Sequence, residues 1–379
     1  MKFFHLSDLH IGLKLMNRDL REDQEHVLRQ IVDYAGKEQP EAVVIAGDIY
    51  DKPIPSADAV ELFDGFISGL ARALPKGRIM MISGNHDSAP RVNVFRSVLR
   101  RQGIHMIGVP PQREEEYVEK VTLEDAHGKV NFYLLPFVKP SMVRGIVGGE
   151  EPLSYDESLR RLLARESVDQ KERNVLVSHQ FYLPTGTAAE DVERMESEIR
   201  TVGNIDEVKA DVLAPFDYAA LGHIHKPMKV GRETYRYPGT PLASSVSEAG
   251  QSKGILLVEM GEKGKVDTKV LSLTPLREIR VIRGTLEMVL QEACNDYVTV
   301  VLTDLADLDV IDMQDRLRAA FPYLLEIRRE TLRRADYSRK GKVLEKLDPF
   351  ELICSFLRDM DQEEKALVQD VLQRVQEVD

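Results

Sequence analysis

Residues 78–87, Arg78-Ile79-Met80-Met81-Ile82-Ser83-Gly84-Asn85-His86-Asp87, join an apolar run to a polar tetrapeptide. The run reads as a buried strand, and a glycine, an amide, an imidazole and a carboxylate follow where that strand should end. Upstream, Ala42-Val43-Val44-Ile45-Ala46 has the same form and stops at Gly47-Asp48. Continuous β-branched runs of this kind suit parallel strands covered on both faces. A third, Lys2-Phe3-Phe4-His5-Leu6, leads into Ser7-Asp8-Leu9-His10. Helical patterns separate the three. One spans 21–37, with Val27, Leu28, Ile31, Val32 and Ala35 on one face. The other spans 56–74, with Ser56 as N-cap and Asp58 in the first turn. Such alternation of strand and helix implies an α/β layered fold.

Farther along, strands are expected over 104–108, 117–123, 130–135, 175–178 and 218–221, with a helix near 156–165. Residues 181–209 are polar and acidic and read as a long surface loop with a short helix. Short strands follow around 228–230, 234–237, 254–259 and 266–272. Together these patterns predict a two-sheet β-sandwich flanked by helices over residues 1–274. A boundary near Thr274-Pro275 introduces a small β-α-β-α-β unit at 275–335, with strands at 278–283, 297–303 and 323–329 and helices at 285–293 and 310–320. Residues 336–379 read as a linker and helical tail, amphipathic at 349–360 and 361–378. The basic stretch 328–346 fits either a solvated linker or a contact to DNA or a partner.

Composition narrows the function classes. The chain has 379 residues, 43% hydrophobic and 30% charged, long enough for a large domain and an appendage. No apolar run reaches the roughly 18 residues of a membrane span, and the first residues lack a signal-peptide pattern. With only two cysteines, Cys294 and Cys354, neither a disulfide framework nor a zinc knuckle is supported. A cytoplasmic location is the expectation. A net charge of −12 argues against a polyanion binder with a broad basic face, but not against a nucleic-acid enzyme whose metal ions supply local positive charge.

In a layered α/β protein, functional side chains gather outside the carboxyl ends of the strands. Each strand end here delivers a metal-competent residue: Asp8 and His10, Asp48, Asn85, His179, and His223 with His225. Asp8 and His10 are two apart, so an extended segment projects both to one side, and His223 and His225 repeat the spacing. Taken singly, Asp-x-His is common, Gly-Asp is an ordinary turn, and a lone histidine is usually structural. The conjunction is harder to dismiss, since five of the nine histidines lie at strand ends while His5, His26, His105 and His127 do not. The set suits two cations about 3.5–4 Å apart sharing a carboxylate. Two divalent ions outweigh Asp8 and Asp48 by enough charge to accept a phosphodiester and an attacking hydroxide. Mixed imidazole, carboxylate and amide donors favour manganese, iron or zinc over magnesium.

These blocks together resemble the calcineurin-like metallophosphoesterase superfamily: Asp8-x-His10, Gly47-Asp48-x-x-Asp51, Gly84-Asn85-His86-Asp87, His179 and Gly222-His223-x-His225. Within it, three segments are similar to the double-strand-break repair nucleases: His5–Gly12, Ala46–Asp51 and Tyr218–His225, with Tyr237-Pro238-Gly239-Thr240-Pro241-Leu242 in support. The resemblance implies one metal on Asp8, His10 and His225, a second on Asn85, His179 and His223, and Asp48 bridging. It implies that His86 acts on the phosphate without binding metal and that Asp87 orients it. Archaeal and eukaryotic members carry a further histidine shortly after the bridging aspartate, where this chain has Asp51. Also implied are a DNA-contacting cap at about 275–335, a homodimer through helices of the nuclease domain, and tail helices packed on an SbcC-type ATPase. The alternative for the tail faces is helices packed on their own domain. The expected activity is a manganese-dependent DNA nuclease, with a stand-alone phosphoesterase for nucleotides or small phosphate esters as the alternative.

Overall fold

The protein is described here by a computed structural model covering residues 1–148, 153–184, 206–304 and 310–330, with Gly186, Glu198 and Lys365. Strand β1 (Lys2–Leu6) leads through a small hairpin, β2 (Lys14–Leu15) and β3 (Arg18–Asp19), into α1 (Arg21–Glu38). Then come β4 (Ala42–Ala46), α2 (Ala57–Ala73), β5 (Arg78–Ile82), the short α3 (Ala89–Val92) and α4 (Arg96–Leu99), and β6 (Ile104–Ile107). The next stretch holds β7 (Glu119–Asp125), β8 (Gly128–Leu135), α5 (Pro140–Val147), α6 (Tyr155–Ala164) and β9 (Arg173–His179). It continues with β10 (Phe181–Leu183), β11 (Glu207–Lys209), β12 (Tyr218–Gly222), β13 (Met228–Val230) and β14 (Arg232–Tyr237). A long hairpin, β15 (Lys253–Met260) and β16 (Val266–Leu273), returns to the first sheet.

Two six-stranded sheets result, in the orders β16-β15-β1-β4-β5-β6 and β13-β14-β12-β9-β8-β7. Four neighbouring strands of each are parallel, and the antiparallel strands lie outside them. All five residues of β4 are buried, and their alternation sorts them. Val43 and Ile45 pack outward under α1 and α2, while Ala42, Val44 and Ala46 face the second sheet. Val175, Val177, Tyr218 and Ala220 meet them from β9 and β12. Leu176 and Leu221 turn the other way, into the core beneath α5 and α6. Each fully buried aliphatic side chain contributes about 1.5–3 kcal/mol, so the sandwich is held by three stacked apolar layers. Ser56 caps α2, accepting from the Ala59 amide at 3.2 Å. His5 ties the sheets together: Tyr218 donates its hydroxyl to Nδ1 at 2.9 Å, and Nε2 donates to the Leu221 carbonyl at 3.2 Å.

Beyond Thr274, β17 (Ile279–Gly284), α7 (Leu286–Leu290), β18 (Tyr297–Leu302), α8 (Val310–Ala320) and β19 (Leu324–Arg329) form a three-stranded parallel sheet over its own core. Arg277 anchors this part to α1, donating to Glu22 at 2.9 Å and Asp23 at 2.8 Å and stacking 4.3 Å from the Tyr323 ring centroid. Tyr297 donates to the same buried Asp23 at 2.8 Å. The chain divides into two compact units, Met1–Glu330 and Thr331–Asp379.

Some expectations change. The stretch 181–209 is not loop throughout: β10 and β11 pair in parallel at its two ends, because Phe181, Tyr182 and Val208 bury into the outer core of the second sheet. The remainder of that stretch, apart from Pro184, Gly186, Glu198 and Asp206, lies outside the described residues. Helix α5 and the β2–β3 hairpin add to the predicted elements, and the helix expected at 285–293 covers only Leu286–Leu290. The basic stretch beyond residue 330 and the amphipathic patterns at 349–360 and 361–378 lie outside the described residues, Lys365 excepted.

Candidate metal centre

The parallel strands β1, β4 and β5 of one sheet and β9 and β12 of the other end at the same edge of the sandwich, and the candidate residues stand there. The loops after β1 and β4 run side by side: Asp8 N–H donates to the Gly47 carbonyl at 3.0 Å, His10 N–H to Asp48 at 3.0 Å and Ile11 N–H to Ile49 at 2.9 Å. Gln24 pins the first loop, donating its amide to the His10 carbonyl at 2.7 Å and accepting from Gly12 N–H at 3.0 Å. Close approach requires glycine. A Cβ on Gly84 would come within 2.1 Å of Asp48 Oδ1, and one on Gly47 within 2.3 Å of the His179 ring. Asp8, His10, Asp48 and His223 all have positive φ, at 53°, 43°, 49° and 108°. Non-glycine residues held there cost on the order of 1–3 kcal/mol each, and such strain concentrates at functional sites.

The seven expected ligands converge. His10 Nε2 lies 3.1 Å from His225 Nε2 and 3.8 Å from Asp48 Oδ2, and His225 Nε2 lies 3.9 Å from Asp8 Oδ1. Asn85 Oδ1 sits 2.9 Å from both His179 Nε2 and His223 Nδ1, and His179 Nε2 is 3.3 Å from Asp48 Oδ2. The donor atoms of Asp8, His10 and His225 lie close enough together to share one ion, as do those of Asp8, Asp48 and His179, and of His10, Asp48 and His86. All but Asn85 and His86 are buried.

Charge in this cluster is unbalanced. Among the described residues no lysine or arginine pairs with Asp8 or Asp48. Burial works against ionised Asp48, yet His179 above all holds it well below the usual carboxylate range. Asp8, buried and only partly offset by His179 and His225, is pushed up to about 6. Burial would lower the His179 imidazole, but Asp48 prevails and raises it to about 9. His179 Nδ1 donates to the Ala46 carbonyl at 2.8 Å, which leaves Nε2 facing two oxygen acceptors. Two oxygen acceptors draw positive charge to Nε2, a proton in the metal-free protein or a cation in its place. The donor set therefore fits divalent cations, with oxygen and nitrogen ligands and no thiolate.

His86 borders this cluster, half-buried, with its ring centroid 4.7 Å from that of His10. Its backbone N–H donates to Asp48 Oδ1 at 2.8 Å, and its Nδ1 donates to the Asp51 carbonyl at 3.0 Å. The Asp87 carboxylate makes no hydrogen bond to the His86 ring, contrary to expectation. Its carboxylate accepts from the backbone N–H groups of Ile49 at 3.0 Å, Tyr50 at 2.9 Å and Gly84 at 2.8 Å. The imidazole is oriented instead by the Asp51 main chain, and Asp87 clasps the two loops that carry Asp48 and His86.

Other residues here carried no recognisable motif. The buried Glu198 accepts from His225 N–H at 2.9 Å, and the buried Asp206 lies 4.0 Å from His223 Nε2. Their acidic character was visible in 181–209, but not their destination.

Residues 1–227 match the family model described as calcineurin-like phosphoesterase, and residues 275–361 match that of the type 5 capsule protein repressor C-terminal domain. The chain is 30% identical over 378 residues to the D subunit of nuclease SbcCD from Staphylococcus epidermidis, covering 97% of this chain and 96% of that protein. Among solved structures, a dimetal phosphatase from Danio rerio is similar at 15% identity with a TM-score of 0.43, covering 73% of this chain and 99% of the other. GAP50, the anchor in the inner membrane complex of Plasmodium, follows at 13% identity and a TM-score of 0.40, covering 86% and 96%.

Proposed function

We propose a function on the premise that the chain belongs to the calcineurin-like phosphoesterase family and, within it, to the relatives of the SbcCD nuclease's D subunit. The protein is a metal-dependent DNA nuclease subunit, an exonuclease on duplex ends and an endonuclease on single strands and hairpins. It acts with the SbcC ATPase in DNA end processing, repair and recombination. One observation carries this reading: strand ends from two sheets bring two carboxylates, an amide and four imidazoles together in a buried cluster with no lysine or arginine paired to its carboxylates among the described residues. Asp8, His10 and His225 would hold one ion and Asn85, His179 and His223 the other, with Asp48 between them; manganese suits these donors. Bound there, the pair supplies charge neutralisation at the phosphate and an activated water.

The chain's own part is proton handling and alignment. With Nδ1 given to the Asp51 carbonyl, His86 Nε2 is the nitrogen left to stabilise charge at the phosphate or protonate the leaving oxygen. Asp87 acts as a positioning residue. The half-buried His86 at the rim is reachable by a backbone phosphate. Exposed Val94, Phe95 and Val98 around α3 and α4 support a homodimer through this domain, and SbcC would complete a heterotetramer in the cytoplasm. No helix among the described residues is long and apolar enough to cross a membrane.

The decisive experiment measures cleavage of linear duplex and hairpin DNA with manganese, with and without SbcC and ATP, beside a nucleotide monoester. Cleavage of both DNA forms that is lost on chelation is expected. Preference for the monoester would make the protein a small-molecule phosphoesterase instead.

A further inference from the structure

Behind His225 runs a buried polar chain that the strand-end motifs do not include. It is built from the segment between β14 and β15, through Thr240, Ser244, Ser245, Glu248 and the first residue of β15, Lys253. Glu248 is 1% exposed and Lys253 6%. One carboxylate oxygen, Oε2, accepts from Lys253 Nζ at 2.5 Å and from Thr240 Oγ1 at 2.9 Å. The other, Oε1, accepts from Ser244 Oγ at 2.6 Å, Ser245 Oγ at 3.1 Å and Ser244 N–H at 3.2 Å. Ser244 Oγ in turn lies 3.2 Å from His225 Nδ1, and Glu248 Oε1 lies 3.8 Å from the same nitrogen. Lys253 also reaches the Gln251 side chain at 3.0 Å and the His225 carbonyl at 3.4 Å.

The direction of this chain is determined by donor arithmetic. A serine hydroxyl has one hydrogen. Ser244 gives it to Glu248, at the shorter of its two contacts, so its oxygen must accept from His225 Nδ1–H. Nδ1 then carries the ring proton, and Nε2 turns a lone pair toward His10 and Asp8. We infer that Glu248, held by Lys253 and Thr240 and acting through Ser244, is a positioning residue that sets the tautomer and ring orientation of His225 for divalent-cation binding. A buried ion pair gives a fold little that well-packed apolar residues would not. Its placement behind a histidine whose far nitrogen faces the carboxylates is what a carboxylate–histidine–metal arrangement requires. The inference rests on the reading of His225 as a metal ligand.

The test titrates Mn2+ into the full chain and follows the electron paramagnetic resonance signal of free Mn2+. Two variants are used: Ser244→Ala, which removes only the bridge, and the double variant Glu248→Gln with Lys253→Met, which removes the charge pair without leaving either charge buried alone. His225→Ala is the reference. Both variants should weaken one Mn2+ site by about 10–100-fold, the usual effect of losing such a partner. In the metal-free protein, 15N spectra should show His225 Nδ1 protonated in the parent chain and a mixture of tautomers in Ser244→Ala, a change that looser packing alone would not produce. If the double variant does not fold, Ser244→Ala decides the matter. Parental Mn2+ affinity and an unchanged tautomer in Ser244→Ala, with His225→Ala defective, would overturn the positioning role alone. Parental affinity in His225→Ala would overturn the ligand reading beneath it as well.

Discussion

The two ends of β9 use buried charge in opposite ways. At its start, Arg173 is 2% exposed, and its guanidinium donates to the Asp125 carboxylate and to the carbonyls of Gly128 at 2.7 Å, Gly261 at 2.9 Å and Met260 at 3.1 Å. The neighbouring Asn174 donates its side-chain amide to Asp169 and Glu172 and its backbone N–H to Asp217. At its finish, His179 faces two acceptors, and among the described residues Asp48 has no lysine or arginine partner and His10 Nδ1 no hydrogen-bond partner. Positive φ angles cluster at this end too. The same strand thus joins a network whose charges are paired, Arg173 Nε alone lacking a hydrogen-bond partner among the described residues, to a strained one that binding of a cation would relieve. Violations of local rules that collect at one edge are the expected mark of function.

This contrast can be broken by substitution. The largest effect is expected for His86→Ala: DNA cleavage should fall by about 10²–10⁴-fold while the thermal unfolding midpoint and Mn2+ binding stay near parental values. Cleavage at the parental rate would remove His86 from the chemistry. At the opposite end, Arg173→Met should cost about 2–4 kcal/mol of stability, because the carbonyls of Gly128, Met260 and Gly261 lose their donor and Asp125 keeps only the Met1 ammonium as a cationic partner. Urea denaturation would measure that loss, and residual folded protein should cleave DNA at the parental rate per molecule. A large drop in that specific rate would show that the two ends are not independent.

A smaller, pH-dependent effect is expected at His5, midway between them. Burial holds its imidazole down at about 3, against an ordinary value of 6.5. Below pH 6.5 the unfolded chain takes up a proton that the folded chain refuses, so stability is lost as pH falls toward 3. The slope is about 1.4 kcal/mol per pH unit once the unfolded histidine is fully protonated. Relative to His5→Gln, the parental chain should show this additional slope in urea denaturation between pH 6 and pH 4, values chosen to lie between about 3 and 6.5. Equal slopes in the two proteins would mean that His5 is charged in the fold.

Much of the architecture could be read from local pattern. Val43, Val44 and Ile45 announce a strand buried on both faces because so short and continuous a β-branched run favours extended chain covered on both sides. Ser56 announces a helix start because its side chain can satisfy an amide that the helix leaves unpaired. The seven residues brought together at the sandwich edge were also nameable, since parallel strands must deliver their following residues to the same side. The β10–β11 pairing was not, because Phe181 and Val208 are far apart in sequence and only the core they share makes them strand partners.

By itself, the sequence determined the order of the main strands and helices, the edge at which chemistry gathers and the residue types gathered there. Those depend on spacing and on the handedness of the chain, which are local. Tertiary structure decided what each polar group does. Asp87 follows His86 directly, yet spends its oxygens on the amides of Ile49, Tyr50 and Gly84. His86 takes its orientation from the Asp51 carbonyl, and His225 has Ser244 and Glu248 behind it. A buried donor or acceptor pairs with whatever group packing brings within about 3 Å, and no spacing rule reports which distant segment that will be.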